Sequence, residues 1–255
     1  MDGGEAIGTK HFIFGLLEVD ITDVRRRLRE LNRTGEHVSF ISWVVKAVGD
    51  SVANNREVQA MLTSRNKLVV FEDVDIALPV EKTVDGRTEP FPVLIRAANR
   101  MSVQEINEQI QQFKARHIQD GGEFVSNDHN LPGMAQWIYY HLPKPIRTQI
   151  LRRLFHSPLS AKRYSGTVFV TTVNAVGKVS GWSLPTRSMC NLTVAIGSIT
   201  KKPWIVKDQI VAREIMNLTV AMNHDVIDGV PARRFVQDLV NRIQICPACF
   251  HVSAK

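Results

Sequence analysis

The sequence predicts one domain built on a mixed β-sheet with helices packed over it, an α/β chain of the α+β mixed-sheet kind. Three observations carry this. Residues 39–54 are helical in pattern yet apolar nearly all round (Phe40, Ile41, Trp43, Val44, Val45, Ala47, Val48, Val52), and such a helix is buried. Strand-like runs lie on both sides of it, interleaved with other helical stretches, which implies a sheet covered by helices. Asp85-Gly86 and Lys207-Asp208 each separate two strand candidates, as the loop of a hairpin does.

Taken in order, 1–11 is a short polar segment and 12–20 a strand candidate with partial alternation. Thr22 can cap a helix running to about Asn32, with Val24, Leu28 and Leu31 on one face and Gly35 as its stop. The arginines at 25, 26, 27 and 29 fall mostly on the other face, where solvation is the simplest reading. After the buried helix, 67–71 and 75–80 read as short β runs and 92–97 as a further strand. Ser102 and Glu105 form a capping box, and Val103, Ile106, Ile110 and Phe113 continue at helical spacing.

From 117 to 133 the chain is polar and loop-like. Residues 134–156 look helical, interrupted by Pro143 and Pro145. Ile146, Ile150, Leu151, Leu154 and Phe155 make a stripe opposite Arg147, Arg152 and Arg153, read as a helix on a core or an oligomer contact before a membrane-surface helix. The last third is strand-rich: 167–173 carries Thr171 and Thr172, 191–199 is another strand, and 204–206 and 209–213 flank the turn at 207–208. In 215–222, Leu218, Val220 and Met222 alternate with Asn217, Thr219 and Ala221. A final helix follows, with Pro231 in its first turn and Phe235, Val236, Leu239, Val240 and Ile243 on one face.

Composition narrows the function classes. The chain has 255 residues, enough to bury a core, and 44% hydrophobic with 22% charged residues is ordinary for a soluble protein. The opening MDGGEAIGTK has no apolar h-region, and the run at 40–48 is broken by Lys46, so a cytoplasmic protein with no membrane span is expected. The formal charge of +7 can mean nucleic acid, an anionic membrane or a phosphate-bearing ligand, or simply a solvated basic surface. Neither zinc-finger spacing nor an aromatic-rich basic strand points to nucleic acid. Three cysteines argue against a disulfide framework. Cys246 and Cys249 have the spacing of a redox pair or half a metal site. They follow a helix, however, and no second pair completes a zinc site, although His251 is close. They are read as a tail feature at 246–255, and no metal is expected.

The stretch with chemical content is NHDVIDG at 223–229, between a strand end and a helix start. A neutral imidazole at His224 can act as a general base near pH 7. Asp228 can cap the next helix or pair with an arginine, and Gly229 permits an unusual backbone. Equally, Asp-Gly is a common turn and His224 can be an ordinary loop histidine.

HDVIDG matches the HxxxDG motif of the acyltransferase catalytic core of 2-oxo acid dehydrogenase complexes and of the related chloramphenicol acetyltransferases. HFIFGLLEVDITDVRRRLRE resembles the first strand and helix of both families, and SFISWVVKAVGDSVANNREVQAML their long buried helix. VDIALPVEKTVDGRTEPFPVLIRAANRMSVQEINEQI is similar to a dehydrogenase-core stretch that ends in a helix, and GTVFVTTVNAVG to their GTFTISNLGMFG. IVAREIMNLTVAMNHDVIDGVPARRFVQDL resembles their ending. The resemblance covers roughly 12–115 and 165–243 and leaves 117–164 as an unaligned insertion in a single catalytic domain at 12–245.

The resemblance implies a two-layer sandwich of mixed sheet and helices, assembled as a homotrimer and possible larger bodies, with the active site in a channel between subunits. It implies coenzyme A as acyl-CoA substrate, and a base, His224, that takes the proton of the coenzyme A or dihydrolipoamide thiol. Thr171 falls where the family has its oxyanion-stabilising serine, with Thr172 next if the register is one off. Asp228 becomes a brace for the loop. The motif departs from the usual DHR opening at Asn223 and Asp225. No lipoyl attachment is expected on this chain, so it reads as a stand-alone acyltransferase or one fed by a separate lipoyl or acyl carrier. Acetylation of a small hydroxyl or amine, and a non-catalytic trimeric scaffold, are the alternatives.

Overall fold

The computed structural model describes residues 10–63, 65–84, 87–115, 141–172, 180–185 and 188–244. Strands β1 (Phe12–Asp20), β4 (Ile76–Val84), β5 (Arg87–Ile95), β6 (Val168–Thr172), β7 (Leu192–Val206) and β8 (Gln209–Asn223) form a six-stranded sheet in the order β1-β8-β7-β6-β4-β5. Pairing is parallel where β6 meets β4 and β7, and antiparallel elsewhere. The sheet is therefore mixed, as the sequence implied. β2 (Met61–Leu62) and β3 (Leu68–Val69) form a separate small ribbon, so the run expected at 67–71 is shorter and lies outside the main sheet.

One face of the sheet is covered by α2 (Phe40–Asn54), α3 (Val103–Ala115) and α6 (Gly229–Gln244). Trp43, Val44, Val48 and Val52 of α2 meet Val168, Val170, Val194, Leu218 and Val220 of the sheet, with Phe235, Leu239 and Ile243 of α6 alongside. The α2 helix starts where Ser39 Oγ accepts the Ser42 N–H. The capping box at α3 is formed: the Glu105 N–H donates to Ser102 Oγ (3.2 Å), and the Ser102 N–H to Glu105 Oε2 (2.7 Å).

Two expectations need correction, and two features go beyond the sequence reading. Thr22 is the first residue of α1 (Thr22–Arg33), not its cap, because its N–H and hydroxyl both bond to Asp20 Oδ1 and its oxygen accepts the Glu214 N–H. The β7–β8 hairpin is longer than either apolar run. Its two-residue turn, Lys207 (φ 49°) and Asp208 (φ 61°), has both residues left-handed, as a type I′ turn requires. The alternation on β8 does not separate core from solvent, since Asn217, Thr219 and Ala221 are as buried as Leu218, Val220 and Met222. Finally, a short helix α5 (Pro158–Ser165) precedes β6. It is tied down by Arg96, which donates to the buried Asp75 carboxylate (2.9 Å) and to the Lys162 carbonyl (3.0 Å).

Helix α4 (Lys144–His156) begins just after Pro143 and leaves Ile146 and Ile150 exposed on this chain. The turn at 85–86, the loop at 117–133 and the Cys246–Cys249 tail lie outside the described residues. No described helix is long and apolar enough to cross a membrane.

Candidate active site

The turn bearing His224 is built by Asn223, the last residue of β8. Its N–H donates to the Asn191 carbonyl (2.8 Å) and its side-chain amide to Asn191 Oδ1 (3.2 Å). Its own Oδ1 accepts the Asp225 N–H (3.2 Å), an Asx turn that reverses the chain. Its carbonyl accepts the N–H groups of Val226 (3.1 Å) and Ile227 (3.0 Å). Asn191 is anchored in turn on the Ala60 carbonyl (2.7 Å), and Ile227 is buried in the core. A buried amide chain and a buried isoleucine thus fix the two flanks of an exposed histidine.

His224 donates its N–H to the His11 carbonyl (2.7 Å), one rung beyond the last β1–β8 pair, Phe12↔Asn223. His11 also bonds Asp225 twice, through its N–H to Oδ2 (3.2 Å) and through Nδ1 to Oδ1 (2.8 Å). A carboxylate only accepts, so Nδ1 of His11 carries the proton. The His11 ring, then its backbone N–H, holds the Asp225 carboxyl below the usual carboxylate range. Beside it, the Lys10 ammonium donates to the Met189 carbonyl (2.8 Å), and burial pulls its pKa down against the charges of Cys190 and Asp225. Burial pushes the Cys190 thiol up to about 12, which removes it as a nucleophile near neutral pH.

Asp228 stands exposed at the head of α6. Its carbonyl accepts the Ala232 N–H (3.1 Å), but its carboxylate makes neither a cap nor an ion pair among the described residues.

Thr171 lies on β6, paired with Ala195, and Thr172 is paired with Ile196. Val168 and Val170 enter the core under the helices, so strand alternation turns Thr171 to the opposite face and Thr172 toward the helices. On the Thr171 face run Thr193 and Thr219, both fully buried, whose hydroxyls have no hydrogen-bond partner among the described residues, with Ala195 between them. Buried polar atoms are normally satisfied, so this row stands out.

The register also separates the two candidate groups. Thr171 is level with Ala195, and Ala195 with Thr219, five residues before His224. At about 3.4 Å per residue along β8 and about 4.8 Å per strand step, Thr171 and His224 of one chain stand roughly 20 Å apart. The chain does not bring them together by itself.

Sequence reasoning singled out His224 and Thr171 and did not point to His11, Asn191 or the hydroxyls of Thr193 and Thr219. His11 is 214 positions from Asp225, and no local pattern joins them. The threonines did carry a signal: polar residues recurring on one face of a strand whose other face is core.

A sequence model of the catalytic domain of the 2-oxoacid dehydrogenases acyltransferases matches residues 11–121 and 187–250, well over half of the chain. The dihydrolipoyllysine-residue acetyltransferase component of the pyruvate dehydrogenase complex of Corynebacterium glutamicum is 23% identical over 251 residues, covering 94% of this chain and 31% of that protein. The fold matches that of a probable dihydrolipoamide acetyltransferase from Listeria monocytogenes, with a TM-score of 0.66 at 16% identity over 96% of this chain and 88% of the other. It also matches a chloramphenicol acetyltransferase, with a TM-score of 0.52 at 11% identity over 95% of this chain and 93% of the other. The chain therefore belongs to the family of 2-oxoacid dehydrogenase acyltransferases, through their catalytic domain.

Proposed function

We propose that the chain transfers an acyl group between thiols, one of them coenzyme A and the other dihydrolipoamide or a carrier thiol. His224 removes the proton of the incoming thiol. The thiolate attacks the carbonyl carbon of the acyl thioester, and the Thr171 hydroxyl donates a hydrogen bond to the oxyanion that forms. Collapse of that intermediate breaks the old carbon–sulfur bond, and the departing thiolate takes the proton back from the His224 imidazolium. Asp228 takes no proton; its place at the helix N-terminus, where a negative charge is favoured by about 0.3–1 kcal/mol, supports the start of α6.

The observation that carries this reading is an exposed imidazole on a turn fixed from both sides. The roughly 20 Å between His224 and Thr171 supports a site shared by two copies of the chain, His224 from one and Thr171 from the next, in a homotrimer. The scaffold reading would be favoured by a histidine buried within one subunit, and His224 is exposed.

The test is acyl transfer from acetyl-coenzyme A to free dihydrolipoamide. Removing a general base costs about 10²–10⁴-fold, so His224→Ala should lose that much kcat while keeping its assembly state by gel filtration. Full activity in that variant would sink the proposal. Transfer by the wild type to small hydroxyl or amine acceptors but not to dihydrolipoamide would move the acceptor class to that of the antibiotic acetyltransferases. The odd residues flanking the motif, Asn223 and Asp225, keep that second reading in view.

A further inference from the structure

We infer that His11 and Asp225 act as one positioning device for His224, and that catalysis needs their side-chain pairing rather than the identity of either residue alone. The inference rests on His224 being the base.

The geometry is a bracket. The β1–β8 ladder ends at Phe12↔Asn223, and beyond it the chain at His224 leaves the strand and turns. Three further bonds close over that departure. The His11 carbonyl holds the His224 N–H (2.7 Å), the His11 N–H holds Asp225 Oδ2 (3.2 Å), and His11 Nδ1 holds Oδ1 of the same carboxylate (2.8 Å). A two-oxygen carboxylate gripped by a ring N–H and a backbone N–H of one residue has one orientation. The backbone of residue 225 is thereby fixed relative to residue 11, and His224 lies between the two anchors.

The other flank of the turn is already rigid through Asn223 and Asn191. Beyond Asp225 the chain is next anchored at the buried Ile227, so without the side-chain pairing residues 224–226 would hang between Asn223 and Ile227 on backbone bonds and the Asx turn alone. Lys10 reaches the Ser188 and Met189 carbonyls instead, and so leaves the Asp225 oxygens to His11. The pair is solvent-exposed, with His11 at 75% and Asp225 at 40% side-chain exposure, so its worth for global stability is small. An exposed pair that spends two hydrogen bonds on the residue next to the base is explained by placement of that base. A misplacement of about 1 Å at a reacting group can cost on the order of a hundredfold.

The experiment compares wild type with His11→Ala, His11→Asn, Asp225→Ala and the His11→Ala/Asp225→Ala double variant, using acetyl-coenzyme A and dihydrolipoamide. Asn places an amide N–H near the position of Nδ1 and is the conservative rescue. Each Ala variant should lose about tenfold or more in kcat with KM for both substrates within about twofold. The double variant should be no worse than the singles, because the two residues form one unit. His11→Asn should recover to within about threefold of wild type. Amide exchange at His224 should quicken about tenfold in His11→Ala while Val220, inside the strand, is unchanged. Wild-type kcat in His11→Ala overturns the inference, and so does a His11→Asn variant as poor as His11→Ala. A wild-type protein with no transfer, or an active His224→Ala, overturns the function itself, whatever the bracket does.

Discussion

If the site is shared between copies, two dead variants should revive each other. The perturbation is a pair of substitutions made in separate chains: His224→Ala in one and Thr171→Val in the other. Within a chain these positions stand roughly 20 Å apart by strand register. A base must come within about 3 Å of the thiol proton, and an oxyanion donor within about 3 Å of the carbonyl oxygen. Both cannot serve one thioester from the same copy. Each parent should therefore keep no more than about a hundredth of wild-type kcat, by loss of the base or of the oxyanion donor.

The two proteins are then unfolded together at equal concentration, refolded and assayed as the mixture. A site needs an intact histidine from one copy and an intact threonine from its neighbour. With random mixing each condition is met about half the time, so roughly a quarter of wild-type activity should return. The parents refolded separately and then mixed should stay near background. A co-refolded mixture no more active than its parents would place both groups in one chain and refute the register argument.

Three further outcomes follow from the scaffold. Gly166 (φ 72°, ψ −169°) sits in a region essentially reserved for glycine, and a Cβ there would lie 2.6 Å from the Asp75 carbonyl oxygen. Gly166→Ala should cost about 3 kcal/mol or more, a fall of roughly 10 °C in Tm by calorimetry. Replacing Lys207-Asp208 by Asn-Gly relieves two left-handed residues and should add about 0.5–1 kcal/mol, read as the urea midpoint. For Asp20, burial raises its pKa, but the hydrogen bonds from Thr22 and Arg213 outweigh it and the net shift is downward. A carboxyl lowered in the folded state adds stability that is complete above its unfolded value, near 3.8, and is lost as pH falls through the folded value. Asp20→Asn should accordingly lower Tm at pH 7 and bring it closer to wild type as pH falls below 3.8, followed by circular dichroism.

The parts of the fold legible in the sequence were those set by neighbours in the chain. The apolar circumference of α2, the Ser102–Glu105 box and the Lys207-Asp208 turn are local signals with local physics. The outer length of the β7–β8 hairpin was not legible, because beyond the core its strands carry Lys201, Lys202 and Arg213, and backbone pairing with ion pairs to Glu18, Asp20 and Asp23 on other elements holds them as strand. Helix α5 was missed because its eight residues bury only Pro158, Ala161 and Ser165, and its anchor is Arg96 on another element. At the proposed site, His224 was singled out through its motif and Thr171 through family order. The bracket from His11 was not, since it depends on which strand ends beside the turn. The burial of the threonines was not legible, because alternation reports two faces and does not say that both are covered.

The placement of β6 has a consequence in time. β7 and β8 are joined by a two-residue turn and can zip as soon as both are made. β6 contributes five residues, paired in parallel on both sides, and it is stitched to Asp75, a residue 92 positions away. Closing so long a loop for so short a strand is slow. The β7–β8 hairpin therefore forms early, whereas β6 against β4, and still more β1 against β8, whose partners lie 195–211 positions apart, wait for longer loops to close. A chain caught partway through folding would hold the hairpin that ends at Asn223 and still lack the His11 end of β1 that closes over His224.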